Sequence, residues 1–126
     1  MTVLCDYCQQ EAKQVGGKEV YPHRPDLYDK QFFICWPCGA RVGCHPGTNM
    51  PLGRLANAEL RKMKSLAHQC FDPLWKERGI PRGKAYGLLA KNMNMSRKDC
   101  HIGLFDETLC KQVIYLCNSG EIFRYL

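Results

Sequence analysis

The sequence has no apolar run close to the roughly 20 residues that a membrane-spanning helix needs. It has no basic stretch followed by an apolar region near its beginning, so we expect no secretory signal and a cytoplasmic location. The paired carboxylates, the glycine-rich phosphate loop and the Ser-His-Asp pattern of common enzymes are missing as well. These absences argue against a membrane partner and against the familiar catalytic classes.

Cysteine, in contrast, is abundant, with nine residues in a chain of 126. Four of them form two Cys-x-x-Cys knuckles, and each knuckle brings two sulfurs together in one tight turn. Because no secretory signal is expected, zinc thiolates in a reducing cytoplasm explain these cysteines better than disulfides do. The predicted ligands of a structural Zn²⁺ are Cys5, Cys8, Cys35 and Cys38.

The hydrophobic pattern predicts an α+β protein with an N-terminal zinc ribbon, a β-hairpin that carries the two knuckles. We assign residues 1–50 to this module and expect strands at 18–21 and 31–34, where β-branched and aromatic residues are frequent. Two prolines lie within 21–27, so this segment is predicted to be an exposed loop at the tip of the hairpin. Gly16 and Gly17 are expected to lead the chain into the first strand.

Residues 51–126 are predicted to form a basic, helical part of three or so helices that packs with the ribbon into one compact unit. Helical spacing of apolar residues indicates helices at 54–71, 85–95 and 107–117, the last one capped by Asp106. The segment from 89 onward allows two readings. One is a helix-turn-helix with Asn94 in a left-handed conformation and a second helix from Ser96, and the other is a single packed helix.

The net charge of +6 is unevenly distributed along the chain. Residues 51–98 contain eleven Lys and Arg against three acidic residues, whereas residues 1–50 are neutral. A basic segment beside a zinc ribbon indicates a polyanion partner, and a merely solvated face is the alternative. The candidate contact residues for nucleic acid or another partner are Tyr21, His23, Arg24, Trp36, Arg54, Arg61, Lys62, Lys64, Arg82 and Lys84.

Two adjacent Cys-His pairs are possible ligands of a second metal or parts of a composite surface. They are Cys44 with His45 and Cys100 with His101. Cys70, Cys110 and Cys117 lie on apolar helix stripes, and we interpret them as buried thiols.

Several motifs resemble a family of small phage, prophage and bacterial proteins known as a zinc-finger-containing domain of unknown function. The resemblance covers nearly the whole chain and depends on the two knuckles and on residues 21–25, 42–45, 51–57, 71–75 and 100–106. It implies zinc at the four knuckle cysteines and a phage or bacterial setting. It implies no particular activity.

Three functions remain open at this point. The first is a non-catalytic protein that contains structural zinc and binds DNA or RNA. The second is a phage-encoded protein-interaction module that inhibits or redirects a host enzyme or defence complex. The third is a small metal-dependent nuclease or hydrolase, whose candidate residues are His45, His68, His101, Asp72 and Asp106.

Overall fold

The N-terminal part is built on an antiparallel sheet of three short strands in a computed structural model that describes residues 2–126. The strands are β1 (Lys13–Gly16), β2 (Gln31–Cys35) and β3 (Ala40–Gly43). They follow one another in sheet order, and Phe33 of β2 pairs with Gln14 on one side and with Val42 on the other. Phe33, Ile34 and Cys35 are buried, and because successive side chains of a strand alternate, the central strand is covered on both faces here.

The first strand lies earlier in the chain than the sequence predicts. Residues 18–21 were expected to be a strand, but Gly17–Val20 forms a one-turn helix, α1. The reason is a close approach at Gly17, where an added Cβ would lie 1.6 Å from the Leu27 carbonyl oxygen. The two glycines therefore end β1 rather than begin it, because the chain must turn where it meets the loop that returns to β2. The predicted second strand at 31–34 is confirmed and extends to Cys35.

The loop over residues 21–27 is exposed, as predicted, and contains a 3₁₀ turn at Pro25–Leu27. Strand β3 was not predicted at all. Gly39 precedes this strand and Gly43 ends it, so the segment has the composition of a loop. Its pairing with β2 turns the expected hairpin into a three-stranded ribbon.

After β3 the chain turns back and runs antiparallel along this strand as far as Ala56. The Leu52 N–H donates to the Gly43 carbonyl at 2.8 Å, and Arg41 and Ala56 exchange two backbone hydrogen bonds of 3.0 Å. Leu55 is buried in the same apolar cluster as Cys5 and Phe33. Residues 51–56 thus belong to the ribbon, although we predicted a helix from residue 54.

The C-terminal part is helical, as predicted, and the α+β fold class is confirmed. Its helices are α2 (Ala58–Phe71), α3 (Pro73–Lys76), α4 (Arg82–Asn92) and α5 (Glu107–Ser119). Helix α2 ends before Asp72 and Pro73, where proline removes the next backbone donor. Helix α5 begins at the predicted cap, because the Asp106 carboxylate accepts a hydrogen bond from the Leu109 N–H at 2.9 Å.

The helix-turn-helix reading is wrong. Asn94 does have a left-handed backbone, with φ of 55°. However, Ser96 and Asp99 close a turn in which the Ser96 hydroxyl donates to the Asp99 carboxylate at 3.0 Å and accepts from the Asp99 N–H at 3.2 Å. The next helical residues are the short 3₁₀ segment Ile102–Leu104, so a recognition helix does not form there.

Contacts divide the chain into two units, Met1–Glu59 and Leu60–Leu126, which we call the ribbon unit and the helical unit. The division falls in the first turn of α2, and the predicted modules 1–50 and 51–126, packed as one compact unit, stay a prediction. Among the helices of the described residues, none combines the length and apolarity that crossing a bilayer requires.

Candidate metal centre

The first knuckle is a tight turn between two short paired segments. Leu4 and Glu11 pair antiparallel, and between them the Cys5 N–H donates to the Gln10 carbonyl at 2.8 Å. The Gln9 N–H donates back to the Cys5 carbonyl at 2.9 Å, with Gln9 in a left-handed conformation, φ of 63°. The turn therefore directs the thiols of Cys5 and Cys8 to the same side.

The second knuckle is the turn that joins β2 to β3. Cys35 pairs with Ala40 across this turn, and the Gly39 N–H donates to the Trp36 carbonyl at 3.3 Å. Gly39 directly follows Cys38, as Gln9 directly follows Cys8, and it has φ of 64°. The two knuckles differ in the hydrogen bond of the turn, but a left-handed residue after the second cysteine closes each of them.

The sheet brings the two knuckles together. The Sγ atoms of Cys5, Cys8, Cys35 and Cys38 all lie within 4.8 Å of one another. Cys5 and Cys35 are buried, whereas Cys8 and Cys38 are half-buried. Within residues 2–126 this is the one group in which three or more His, Cys, Asp or Glu side chains can share a metal.

The spacing of the sulfurs fits zinc. In a tetrahedral site with Zn–S bonds of about 2.3 Å, neighbouring sulfurs are about 3.8 Å apart. The Sγ atoms of Cys8 and Cys35 are 3.7 Å apart, although 27 residues separate them in the chain. Soft thiolates in this arrangement favour Zn²⁺ over the hard cations Mg²⁺ and Ca²⁺.

The electrostatics of the four thiols agree with a site that needs a cation. The hydrogen bond with Cys8, together with burial, raises the pKa of Cys38 to about 12. A backbone hydrogen bond from Gln10 lowers the pKa of Cys8. Negative charges on neighbouring thiolates repel one another, so a cation is needed to stabilise all four sulfurs as thiolates. A bound Zn²⁺ supplies this compensation and leaves a net charge of about −2.

Of the ten predicted contact residues, the ribbon unit contains five, and three of these side chains already have partners within it. Tyr21 packs edge-on against Phe32, with ring centroids 5.5 Å apart, and its hydroxyl accepts from Arg41 Nε at 3.0 Å. Arg24 donates two hydrogen bonds, of 3.0 and 2.8 Å, to Asp26. Arg54 Nε lies 3.8 Å from an Asp6 carboxylate oxygen.

The other two predicted contact residues of this unit are open to solvent. His23 is exposed at the tip of the hairpin loop, and Trp36 is 52% exposed in the second knuckle. Tyr7, in the corresponding turn of the first knuckle, is 40% exposed, and its hydroxyl accepts from the Asn57 N–H at 3.0 Å. Each knuckle therefore presents one aromatic ring at the surface beside the metal centre.

The helical unit contains the remaining predicted contact residues. Lys62, Arg82 and Lys84 are exposed, and Arg61 is half-buried. Lys64 is half-buried and donates to the Gly103 carbonyl at 2.7 Å, which gives it a structural partner. The contacts of these residues with nucleic acid or protein stay a prediction.

The two Cys-His pairs lie outside the four-cysteine cluster. His45 is in an exposed turn, and burial raises the pKa of the half-buried Cys44. Cys100 is fully buried, which raises the pKa of its thiol to about 11, whereas His101 is exposed. Throughout residues 2–126, neither pair joins a third donor that could share a metal, and their role in a composite surface stays a prediction.

The candidate hydrolase residues include one hydrogen-bonded pair. His68 Nδ1 lies 3.1 Å from Asp72 Oδ1, one helical turn apart, as the sequence suggests. Lys76 Nζ lies 3.9 Å from the other oxygen of Asp72, so this carboxylate contacts one imidazole and one ammonium group.

Sequence reasoning missed a group of aromatic and basic side chains in the helical unit. The guanidinium carbons of Arg82 and Arg97 lie 4.9 and 5.0 Å from the ring centroid of Tyr86. Arg82 and Tyr86 are four residues apart on α4, a spacing that could have indicated this contact. Arg97 comes from the turn after the helix, and helical periodicity does not reveal such a contact.

Comparison with known proteins agrees with the metal centre. The family described as a zinc-finger-containing domain matches residues 1–119, which include both knuckles and most of the helical unit. No curated protein and no solved structure matches the chain. The four converging thiols and the family match lead to one conclusion: this chain belongs to the zinc-finger-containing domain family and binds Zn²⁺.

Proposed function

We propose that this protein binds nucleic acid through its helical unit and that its zinc has a structural role. The observation that carries this proposal is the separation of charge. The helical unit has twelve Lys and Arg against six acidic residues, whereas six of each balance in the ribbon unit. Since zinc with four thiolates adds about −2 to the ribbon, the attraction for a polyanion comes from the helices.

The exposed basic side chains of the helical unit support a phosphate-binding role. Arg78 lies over the ring of Phe123, Lys91 over that of Tyr125, and Arg82 over that of Tyr86. Aromatic rings hold the stems and faces of these side chains but leave their N–H donors available. Such preordered donors lose less entropy when they bind a phosphate than freely rotating side chains would.

The four cysteine ligands support a structural role for the zinc rather than a catalytic one. Four thiolates fill the tetrahedral shell of the ion, so no position is open for a water or a substrate. Cys5 and Cys35 also belong to the apolar core of the ribbon, which couples metal binding to folding. We further propose a bacterial or phage-infected cytoplasm as the setting, because a reducing compartment keeps these thiolates available to zinc.

Fluorescence anisotropy of the zinc-loaded protein tests this proposal. Labelled duplex DNA, single-stranded DNA and RNA are titrated at about 50 and 200 mM salt. We expect saturable binding that weakens steeply with salt for at least one of these ligands. Affinity that is the same at both salt concentrations, or no binding to any of the three, would refute the proposal.

A matched pair of charge variants locates the surface. Lys84→Gln removes an exposed charge of the helical unit, and Lys13→Gln removes one from β1 of the ribbon unit. We expect Lys84→Gln to weaken binding about threefold to tenfold and Lys13→Gln to leave it unchanged. Equal losses would show that binding depends on net charge alone.

The second candidate function is docking on a host protein, and the exposed rings of Trp36 and Tyr7 favour it. Exposed aromatic side chains on a rigid turn are typical of protein-binding hot spots. If nucleic acid does not bind, immobilised protein should retain a saturable host protein that Trp36→Ala fails to retain. Equal retention by Trp36→Ala would rule out this contact.

A further inference from the structure

Two arginines of the helical unit share one aromatic support. Arg82, at the start of α4, and Arg97, in the turn after it, both place their guanidinium carbons about 5 Å from the centroid of the Tyr86 ring. Since both distances end at one centroid, the two cations are at most about 10 Å apart, which is one Debye length at 0.1 M salt. Their mutual repulsion is therefore only partly screened.

These two arginines lack the ion-pair partners that other arginines of the chain have. Arg24 and Arg124 form ion pairs with Asp26 and Glu121, at 2.8 and 3.7 Å. Across residues 2–126, by contrast, no acidic side chain forms an ion pair with Arg82 or Arg97. Both side chains are exposed, so their N–H donors are accessible to a ligand.

The acidic residues around this cluster have other partners. Asp72, whose charge acts on Tyr86, is bonded to His68 at 3.1 Å and lies 3.9 Å from Lys76. Asp99, close to Arg97 in the chain, accepts from the Ser96 hydroxyl at 3.0 Å. His101, whose ring centroid is 6.0 Å from that of Tyr86, adds a further donor at the edge of the cluster. Within the described residues, neither carboxylate forms an ion pair with Arg82 or Arg97.

We infer that Arg82 and Arg97 form a clamp for a single phosphate group of the nucleic-acid backbone. A phosphate between the two cations would relieve their repulsion and accept hydrogen bonds from both guanidinium edges. Tyr86 itself is only 2% exposed and cannot stack on a base. The clamp therefore binds the phosphate backbone and does not distinguish between base sequences. As a statement about nucleic acid, this inference rests on the proposed function.

The first arm of the test uses inorganic phosphate and needs no nucleic acid. The Nε–Hε NMR signals of the arginines are followed while phosphate is added to the zinc-loaded protein. We expect the signals of Arg82 and Arg97 to shift along one common saturation curve. Arg78 is the matched control, because it lies 4.9 Å over Phe123 and is not part of the pair.

The second arm is a double-mutant cycle with duplex DNA. Arg82→Gln and Arg97→Gln should each weaken binding about tenfold, because either change leaves the other guanidinium without its shared phosphate. The double variant should also lose about tenfold rather than a hundredfold, since both residues hold one group. Its plot of log affinity against log salt should become shallower by about 0.9, the value for one phosphate. Arg78→Gln combined with Arg82→Gln should instead be additive.

The two arms separate the clamp from the proposed function. A common saturable shift without binding to duplex DNA, single-stranded DNA or RNA would keep the phosphate site and refute the nucleic-acid function. DNA binding together with an additive cycle, or a shift of Arg78 equal to the others, would refute the clamp and leave the function standing. Arg82→Gln and Arg97→Gln alter exposed side chains, so both variants should fold, and their NMR spectra verify this.

Discussion

Single residues fix the backbone of the metal centre at the position that follows each knuckle. Gln9 and Gly39 both have left-handed backbones, with φ of 63° and 64°. A side chain other than glycine costs about 1 kcal/mol or more in this region. The left-handed backbone of Gln9 therefore destabilises the first knuckle by this amount, whereas glycine at position 39 adopts the same conformation without this strain.

Exchanging these two residue types should change stability in opposite directions. Gln9→Gly should raise the free energy of unfolding of the ribbon unit by about 0.5 kcal/mol, and Gly39→Ala should lower it by about 1 kcal/mol. An added Cβ at Gly39 meets no atom within 4 Å, so its cost is conformational. The urea concentration of half-maximal zinc release measures both effects.

Gly83→Ala is the control for Gly39→Ala. Gly83 lies in α4, its Cβ would also meet no atom within 4 Å, and its backbone is not left-handed. We expect no loss of stability there in thermal denaturation followed by circular dichroism, a measurement that is applied to both variants, since alanine favours a helix. Equal losses at both positions would contradict the conformational explanation.

The cysteines allow a sharp test of the ligand assignment. Cys35→Ser should abolish stoichiometric zinc binding and unfold the ribbon, because three thiols hold the ion much less tightly and folding depends on the metal. Cys44→Ser should retain one zinc per chain, since Cys44 packs against the same core but lies outside the cluster. Zinc content after dialysis and thermal melting measure the outcome. Full zinc content in Cys35→Ser would overturn the assignment.

At this scale the sequence is informative where the chemistry is local. The four ligands were predictable because each pair lies within one turn of the chain. The contact of Arg97 with Tyr86 was not, since residues 93–96 turn the chain in a way that no periodic pattern encodes. The left-handed conformation at Gln9 was equally hidden, because glutamine gives no signal for it.

Among the elements, helix α5 shows how closely a local pattern can determine its ends. Asp106 caps it, as expected from the sequence, and Gly120, with φ of 81°, ends it after Ser119, two residues beyond the predicted end. The strands were harder to place. The position of β1 depends on the contact of Gly17 with Leu27, and β3 exists because it pairs with β2 and with Ala56. Strand pairing of this kind cannot be predicted from the composition of a short segment, because it depends on contacts between distant parts of the chain.

The cap of α5 can be tested apart from its charge. Asp106→Ala should lower stability by about 1 kcal/mol, because the Leu109 N–H loses its acceptor. Asp106→Asn removes the same charge but keeps an acceptor oxygen, so it should lose much less. Thermal denaturation of the zinc-loaded variants, followed by the circular dichroism of the helices, gives both values. Equal losses for Ala and Asn would assign the effect to charge rather than to the cap.

For the whole molecule, the main consequence concerns the two units and the metal. Removal of zinc with a chelator should abolish the amide exchange protection of β1, β2 and β3 but preserve that of α4 and α5. The core of the ribbon includes two zinc ligands, whereas the helical unit has apolar side chains of its own, such as Leu89, Val113 and Ile122. Hydrogen exchange with NMR detection distinguishes the units. Readdition of zinc should restore the strands, and loss of protection in both units would contradict their independence.

The structure of the two knuckles also determines the rates at which zinc binds and is released. Each pair of thiols is organised by its own short turn, so zinc can bind one pair before the sheet has formed. Capture by the other pair then closes a loop between Cys8 and Cys35, 27 residues apart, and loops of this size close in well under a millisecond. Loading should therefore be rapid, whereas release should be slow, because a pair of thiols that dissociates can rebind while the other pair still holds the ion. In a cell with little free zinc, this protein should therefore bind the ion quickly and release it slowly.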